Sequence, residues 1–190
     1  PAGYWHEGGG ILLAWDATVV EISLPHYTPN ALTALVRHSE GVQWWITVVY
    51  APQGDELKTQ FLLDLYSRRT LCPGPWMVLG DFNMILWASE KSNDHINRTM
   101  MKRFRSFVDD HELKELCMHG WMFTWSNERN APTFTKIDRV LVSVDWELSH
   151  PDHLLQALST DVSDHAPCIF RQMHIYITRS NFDSRSSGLN

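Results

Sequence analysis

Residues 76–83 read Trp-Met-Val-Leu-Gly-Asp-Phe-Asn, and this stretch decides the fold prediction. Its first four residues are apolar and have the length of a fully buried strand. The following residues place polar groups at the C-terminal end of that strand, where sheets flanked by helices commonly carry their catalytic and binding residues. Side chains alternate along an extended segment, so Asp81 and Asn83 point to the same side. We therefore predict a central strand that ends in an Asp–Asn pair.

Further strands are predicted on both sides of this one, because short apolar or β-branched runs recur along the chain. They cover residues 11–15, 18–24, 31–38, 42–50, 123–127, 136–143 and 167–171. The short connection around Gly41 predicts that residues 31–38 and 42–50 form a hairpin. Pro25 and Pro29 predict breaks between elements.

Two segments show helical rather than strand-like spacing. Apolar residues recur every three or four positions after Gly54-Asp55, and again from about residue 99 to 111. Many strands with about two helices favour an α+β protein built as a layered sandwich.

The composition predicts one folded domain. The chain has 190 residues, of which 44% are hydrophobic and 20% charged, and this excludes wholesale disorder. We expect residues 1–177 to form the domain. Residues 178–190 are rich in Ser, Arg and Asn and are expected to form a polar, disordered tail.

The formal net charge of −6 argues against a protein that grips nucleic acid by bulk charge alone. It is compatible with an enzyme that has a local basic rim around an acidic, metal-loaded centre. The three cysteines lack CxxC spacing, which argues against a zinc site or a disulfide framework. No signal peptide and no run of about 18 apolar residues is present. We therefore expect an intracellular protein, nuclear or cytoplasmic, that is not secreted and has no membrane partner.

Polar residues stand at or near the ends of the other predicted strands as well: Tyr50, Asn127, Asp138, Asp164 and His165. Each of them alone is more often part of a turn or a helix cap. Asp138 is more informative, because burying a carboxylate in an apolar strand without a partner is costly. A histidine is its natural partner, since an Asp–His pair orients and charges an imidazole. Two acids, an amide and a histidine together suit the attack of water on a phosphodiester.

Four motifs in this order resemble the endonuclease/exonuclease/phosphatase superfamily, which includes DNase I and the apurinic endonucleases. They are Gly80-Asp81-Phe82-Asn83, Phe123-Thr124-Trp125-Ser126-Asn127, Ile137-Asp138-Arg139-Val140-Leu141-Val142-Ser143 and Ser163-Asp164-His165. Within that group the chain is most similar to the endonuclease domain of plant LINE-type non-LTR retrotransposon polyproteins. The resemblance covers about residues 8 to 171.

The resemblance implies a four-layered α/β sandwich of the DNase I-like type and a Mg²⁺-dependent phosphodiesterase, with Mn²⁺ as a substitute ion. His165 resembles the catalytic histidine, and Asp138 resembles the acid that orients it. Asp164 resembles the neighbouring acid near the metal. Asp81 and Asn83 resemble the pair that handles the attacking water or the leaving group, with either Asp81 or His165 as the base. Tyr50 resembles a phosphate-contacting tyrosine and Asn127 a substrate-binding residue.

Two segments typical of the superfamily do not occur in these 190 residues. One carries an Asn on a first strand, and the other is a Gln-Glu-Thr segment whose Glu is the principal metal ligand. Glu7 does not match that second motif. We therefore expect an N-terminally truncated domain that lacks its first one or two strands and binds Mg²⁺ weakly.

Three functions stay open at this point. The first is a DNA-nicking endonuclease, with DNA as substrate and a reverse transcriptase region in a parent polyprotein. The second is a catalytically impaired remnant or a binding module, and the third is a phosphoesterase acting on phosphoinositide or sphingolipid headgroups. The sequence does not determine an oligomeric state.

Overall fold

The structure is a computed structural model that describes residues 2–6, 11–38, 41–151, 153–158, 163–171 and 176–177. Glu7 and the predicted tail over residues 178–190 lie outside these ranges. Along the described residues the helices are α1 (Asp55–Leu71), α2 (Arg98–Asp110) and α3 (Val144–Ser149). The strands are β1 (Ala2–His6), β2 (Ile11–Trp15), β3 (Val20–Thr28), β4 (Ala31–His38), β5 (Gln43–Tyr50), β6 (Trp76–Asp81), β7 (Leu113–Glu115), β8 (Met118–His119), β9 (Trp125–Ser126), β10 (Phe134–Thr135), β11 (Asp138–Ser143), β12 (Leu154–Ala157), β13 (Cys168–Arg171) and β14 (Tyr176–Ile177).

The main sheet has six strands in the order β3-β4-β5-β6-β11-β7. β5 and β6 run parallel, and the other neighbours run antiparallel. The predicted hairpin is confirmed, since Ala31 of β4 pairs with Val49 of β5 and Arg37 pairs with Gln43. The predicted buried strand over residues 76–79 is also confirmed as the start of β6, whose first four residues are all buried.

The prediction that Pro25 separates two elements is wrong. β3 runs through this residue, and its pairing with β4 shifts register between Ser23 and His26. Leu24 takes a positive φ of 50° at the same point. β3 lies at the edge of the sheet. A bulge on an edge strand tolerates a residue without an N–H, because that side of the strand needs no ladder partner.

Both faces of the main sheet are buried. One face packs against α1 and α2 through an apolar cluster that includes Phe61, Leu65, Phe104 and Phe107. The opposite face packs against a second sheet with the order β14-β13-β12-β8. Leu155 and Phe170 of that sheet meet residues of β4, β5, β6 and β11 in a second cluster. The described elements thus form a layer of helices, the main sheet and a second sheet.

Both predicted helices are confirmed. α1 begins at Asp55, and its first turn holds two acidic residues while its last turn holds Arg68 and Arg69. This distribution suits the helix dipole. α2 begins after Asn97, whose side chain accepts a hydrogen bond from the Met100 backbone at 3.0 Å. Asn97 is therefore the N-cap of α2.

Two further expectations concern the cysteines and the membrane. All three cysteines are free, which agrees with the prediction against a disulfide framework. Among the described helices, none combines the length and the apolar character needed to cross a bilayer.

The topology brings three strand ends together. Asp138 at the start of β11 is directly opposite Asp81 at the end of β6. Tyr50 at the end of β5 is opposite Asp81 on its other side. Directly opposed residues of neighbouring strands point to the same face of a sheet. The sheet itself therefore places these three side chains at one edge.

Candidate active site

Asp81 is held at the end of β6 by a close approach of two strands. Gly80 has a φ of 127°, and a Cβ at this position would lie 2.1 Å from the Val49 carbonyl oxygen. A side chain cannot fit there, and the backbone conformation itself favours glycine. Asp81 follows directly and is 5% exposed. The motif Gly-Asp is thus fixed by the packing of β6 on β5.

Asn83 holds the carboxylate of Asp81 in place. Its backbone N–H donates to Asp81 Oδ1 at 2.7 Å, and its Nδ2 donates to the Ala51 carbonyl at 2.7 Å. Asn83 takes a positive φ of 49°, which Asn adopts more readily than other side chains. Gln53 Nε2 donates to Asn83 Oδ1 at 2.8 Å. The Asp-Phe-Asn segment is therefore a rigid turn whose polar groups are already oriented.

His165 lies between two carboxylates. Its Nδ1 is 2.9 Å from Asp138 Oδ2, and its Nε2 is 3.9 Å from Asp81 Oδ2. An ionised carboxylate can only accept, so Nδ1 carries the proton of this hydrogen bond. Nε2 is then the nitrogen that can exchange a proton with another molecule. The histidine partner that the sequence predicts for Asp138 is present.

Asp164 lies beside His165 but faces a different partner. Its Oδ2 accepts a hydrogen bond from the indole Nε1 of Trp125 at 2.9 Å, and its carbonyl accepts from the Ser126 backbone at 2.9 Å. Its carboxylate is not part of the group formed by Asp81, Asp138 and His165. The role of Asp164 as a metal ligand stays a prediction.

Thr124, which lies inside the Phe-Thr-Trp-Ser-Asn motif, connects the segments that carry the site. Its Oγ1 accepts hydrogen bonds from the backbone N–H groups of Ile137 at 3.0 Å and Asp138 at 2.9 Å. Its carbonyl accepts from the Ala166 backbone at 2.8 Å. Thr124 is 1% exposed. One buried hydroxyl thus fixes the start of β11, next to the segment that carries His165.

A cleft of about 650 Å³ opens at this edge of the main sheet. Six of the seven predicted site residues line it, namely Tyr50, Asp81, Asn83, Asn127, Asp164 and His165. The seventh, Asp138, lies beside His165 and lines a smaller neighbouring cavity. Asn127 also shapes the rim, because its Oδ1 accepts from the Thr133 backbone at 2.9 Å. The fold therefore gathers residues from five segments of the chain.

Basic side chains line the same cleft. They are Lys58 on α1, Lys91 after the Asp-Phe-Asn turn, and Arg129 on the loop after β9. The sequence did not identify Lys58, because it belongs to none of the motifs. It reaches the site only because α1 packs next to the end of β6. The site thus has an acidic centre with basic groups around it, an arrangement with which the net charge of −6 is compatible.

A buried ion network supports the turn that follows Asn83. Arg139 Nη1 is 3.0 Å from Glu90 Oε1 and 2.7 Å from Glu115 Oε1, and its Nη2 also pairs with Glu90. Glu90 Oε2 accepts from the Leu86 backbone at 2.7 Å. The Arg139 side chain is fully buried. A charged residue inside an apolar strand is the sequence signal that could have indicated this network. The network ties residues 86–90 to β11.

The donor set fits a divalent cation held by few ligands. One ligand atom each from Asp81, Asp138 and His165 lies within 4.8 Å of the others. Mg²⁺ prefers oxygen and is commonly held by one or two carboxylates together with water and substrate phosphate. One oxygen of Asp138 already accepts from His165. Only part of the Asp138 carboxylate therefore remains available for a further partner.

Comparison with known proteins assigns this chain to a family. The sequence profile of the endonuclease/exonuclease/phosphatase family matches residues 1–165. No significant match is found among curated proteins.

Two solved structures are similar to this chain. The endonuclease domain of TRAS1, a telomere-specific non-LTR retrotransposon, has a TM-score of 0.63 at 15% identity, covering 85% of this chain and 72% of that domain. An endonuclease/exonuclease/phosphatase family protein from Bacteroides thetaiotaomicron has a TM-score of 0.57 at 14% identity, covering 84% of this chain and 66% of that protein. At these identities the likeness concerns the fold, and it confirms the predicted α+β fold of the DNase I-like type.

The family profile extends over all four motifs up to His165, and the solved structures share the fold that brings these motifs to one cleft. The chain belongs to the endonuclease/exonuclease/phosphatase family.

Proposed function

We propose that this chain is a divalent-metal-dependent phosphodiesterase that nicks DNA. The observation that carries the proposal is the His165–Asp138 pair, whose Nε2 lies 3.9 Å from the carboxylate of Asp81. Asn83 is fixed beside Asp81 by its own hydrogen bonds. Such a site combines a group that moves a proton with groups that donate to developing negative charge.

The residues of the chain would act in distinct ways on a phosphodiester in the cleft. His165 Nε2 or Asp81 Oδ2 would accept the proton of the attacking water, since a water molecule between them can reach both. Asp138 would keep the imidazole in one tautomer, which leaves Nε2 towards the reaction. Asn83 would keep the Asp81 carboxylate oriented towards the reaction, Tyr50 would contact the phosphate oxygens, and Asn127 would contact the substrate at the rim.

Asp81 would hold the metal ion, and Asp164 lines the same cleft as a further candidate ligand. A bound divalent cation supplies charge neutralisation on the phosphate and polarises its oxygens. We propose Mg²⁺, with Mn²⁺ as a substitute.

DNA is the substrate that the resemblance to retrotransposon endonucleases supports. One of the similar solved structures is the endonuclease domain of a telomere-specific non-LTR retrotransposon. We propose an origin in a plant LINE-type element, where a reverse transcriptase region would belong to the same polyprotein.

A second candidate is a domain that binds DNA but has lost most of its catalytic power. One observation favours it: the metal-capable group in the described part of the chain contains two aspartates and no glutamate. This candidate predicts DNA binding without nicking.

A plasmid assay separates the two. The purified chain is incubated with supercoiled plasmid in Mg²⁺ or in EDTA, beside His165→Ala and the matched control His26→Ala. His26 is an exposed histidine on the edge strand β3. Phosphodiesterase activity predicts EDTA-sensitive nicking that His165→Ala loses and His26→Ala keeps. Equal nicking by the wild type and His165→Ala, or none by either, contradicts the proposed enzyme.

A further inference from the structure

Lys58 occupies an unusual position for a lysine. It lies in the first turn of α1, where its backbone N–H donates to the Gly54 carbonyl at 3.0 Å. Its side chain lines the cleft together with Asp81, Asn83 and His165. The residue is half-buried. Lysine side chains usually keep their ammonium groups in water, so this position needs a reason.

Among the described residues, no ion pair neutralises the charge of Lys58. Two other lysines are paired, Lys114 with Glu147 at 2.5 Å and Lys136 with Glu115 at 2.8 Å. No carboxylate of the described residues lies within ion-pairing distance of the Lys58 ammonium. Burying a charge without a partner is costly, and this cost is recovered when a ligand brings the opposite charge.

The surroundings of Lys58 also suit an anion. Burial lowers the pKa of the Lys58 ammonium, whereas Asp55 and Asp81 act in the opposite direction. Lys91 is close enough to lower it further, so two ammonium groups share this part of the cleft. Like charges repel each other, and a phosphate bound beside both ammonium groups would offset that repulsion.

We propose that Lys58 is a substrate-binding residue that contacts a backbone phosphate of the DNA strand lying beside Asp81. This inference rests on the proposed function, because it requires DNA in the cleft. Lys91 is the second cation near that phosphate. A point charge on a flexible stem suits a phosphate, which needs no bidentate geometry. The position of α1 against the end of β6 would thus add a phosphate contact by Lys58, a residue that belongs to none of the sequence motifs.

Salt-dependent DNA binding tests the proposal without relying on cleavage. A short fluorescein-labelled duplex is titrated in EDTA at several KCl concentrations, with the wild type, Lys58→Met, Lys58→Arg and Lys102→Met. Lys102 is an exposed lysine of α2 that does not line the cleft. Loss of one phosphate contact lowers the slope of log affinity against log salt by about 0.9.

We expect that decrease for Lys58→Met, recovery in Lys58→Arg, and an unchanged slope for Lys102→Met. Equal slopes for the wild type and Lys58→Met overturn the inference and leave the proposed function standing. Equal decreases in Lys58→Met and Lys102→Met also overturn it, because they show a general loss of charge. Absence of DNA binding by the wild type overturns the inference and the proposed function together.

A second measurement uses the wild-type chain and does not depend on a variant that folds. Lysines are acylated with an amine-reactive reagent with and without the duplex, and peptides are quantified by mass spectrometry. DNA is expected to protect Lys58 several-fold and to leave Lys102 unchanged. Equal labelling of Lys58 in both samples, under conditions where the duplex is bound, overturns the inference.

Discussion

At the scale of single residues, Asp138 and His165 show how far chemistry alone predicts a contact. A carboxylate inside an apolar strand requires a partner, and this argument predicts a histidine from residue types alone. The structure places His165 Nδ1 2.9 Å from Asp138 Oδ2. Lys58 could not be found in this way. Its importance depends on which segments meet in space, and its own sequence neighbourhood carries no such signal. Thr124 lies inside a motif, but its role in joining the segments depends on hydrogen bonds that only the structure reveals.

Gly80 is the residue whose backbone most directly determines the position of Asp81. We expect Gly80→Ala to destabilise the fold by roughly 3 kcal/mol or more, because strain at a special backbone conformation adds to a steric clash. The clash is with the Val49 carbonyl oxygen, which would lie 2.1 Å from the added Cβ. Unfolding in urea measures the free energy of each variant.

Gly74→Ala is the matched control for this prediction. Gly74 also has a positive φ, 89°, but a Cβ there would meet no atom within 4 Å. We expect a cost of about 1–2 kcal/mol from the backbone conformation alone. Equal losses of stability in the two variants would show that the close approach of β5 and β6 does not add to the cost of Gly80→Ala.

At the scale of elements, the network around Arg139 links β11 to residues 86–90, which follow the turn that carries Asn83. We expect Arg139→Met to destabilise the protein by about 3–5 kcal/mol, because it leaves the buried Glu90 carboxylate without its charged partner. Arg37→Met removes an exposed ion pair, in which Arg37 lies 3.3 Å from Glu21. That control is expected to cost about 1 kcal/mol or less. Unfolding in guanidinium chloride measures the stability of both variants. Similar unfolding midpoints for Arg139→Met and Arg37→Met would contradict a structural role for the network.

The elements also show which parts of the fold a sequence predicts. α1, α2 and the hairpin of β4 and β5 are long and periodic, so their patterns identify them. α3 has six residues and β12 has four, and neither is predicted. Such short segments are stabilised by what they pack against, here the cluster containing Trp146 and Leu155. The continuation of β3 through Pro25 depends on its edge position, which the sequence does not reveal.

At the scale of the whole molecule, the distribution of charge matters more than its sum. The formal net charge is −6, yet Lys58, Lys91 and Arg129 line the cleft around Asp81. A local basic surface can attract DNA although the rest of the protein repels it, and salt screens that attraction within about 10 Å at 0.1 M. DNA affinity should therefore fall steeply as salt is added.

The same cleft limits how tightly a metal ion binds. We expect Mg²⁺ to bind this chain with a Kd of about 1 mM or weaker, because few carboxylates are available and one oxygen of Asp138 accepts from His165. Isothermal titration calorimetry measures this affinity. Asp81→Asn should abolish the signal, whereas Glu21→Gln, at an exposed position on β3, should leave it unchanged. Micromolar binding would contradict this expectation and show that a further ligand takes part.

The most direct measurement of the central claim is a double-mutant cycle on Mg²⁺-dependent plasmid nicking under single-turnover conditions. The claim is that His165 and Asp138 act as one unit on a phosphodiester. Each of His165→Ala and Asp138→Asn should lower the rate by about 10²–10⁴-fold. The double variant should lose no more than His165→Ala alone, since residues that act as a unit are not additive. Multiplied losses in the double variant, or a wild type that does not nick in Mg²⁺, would contradict the claim.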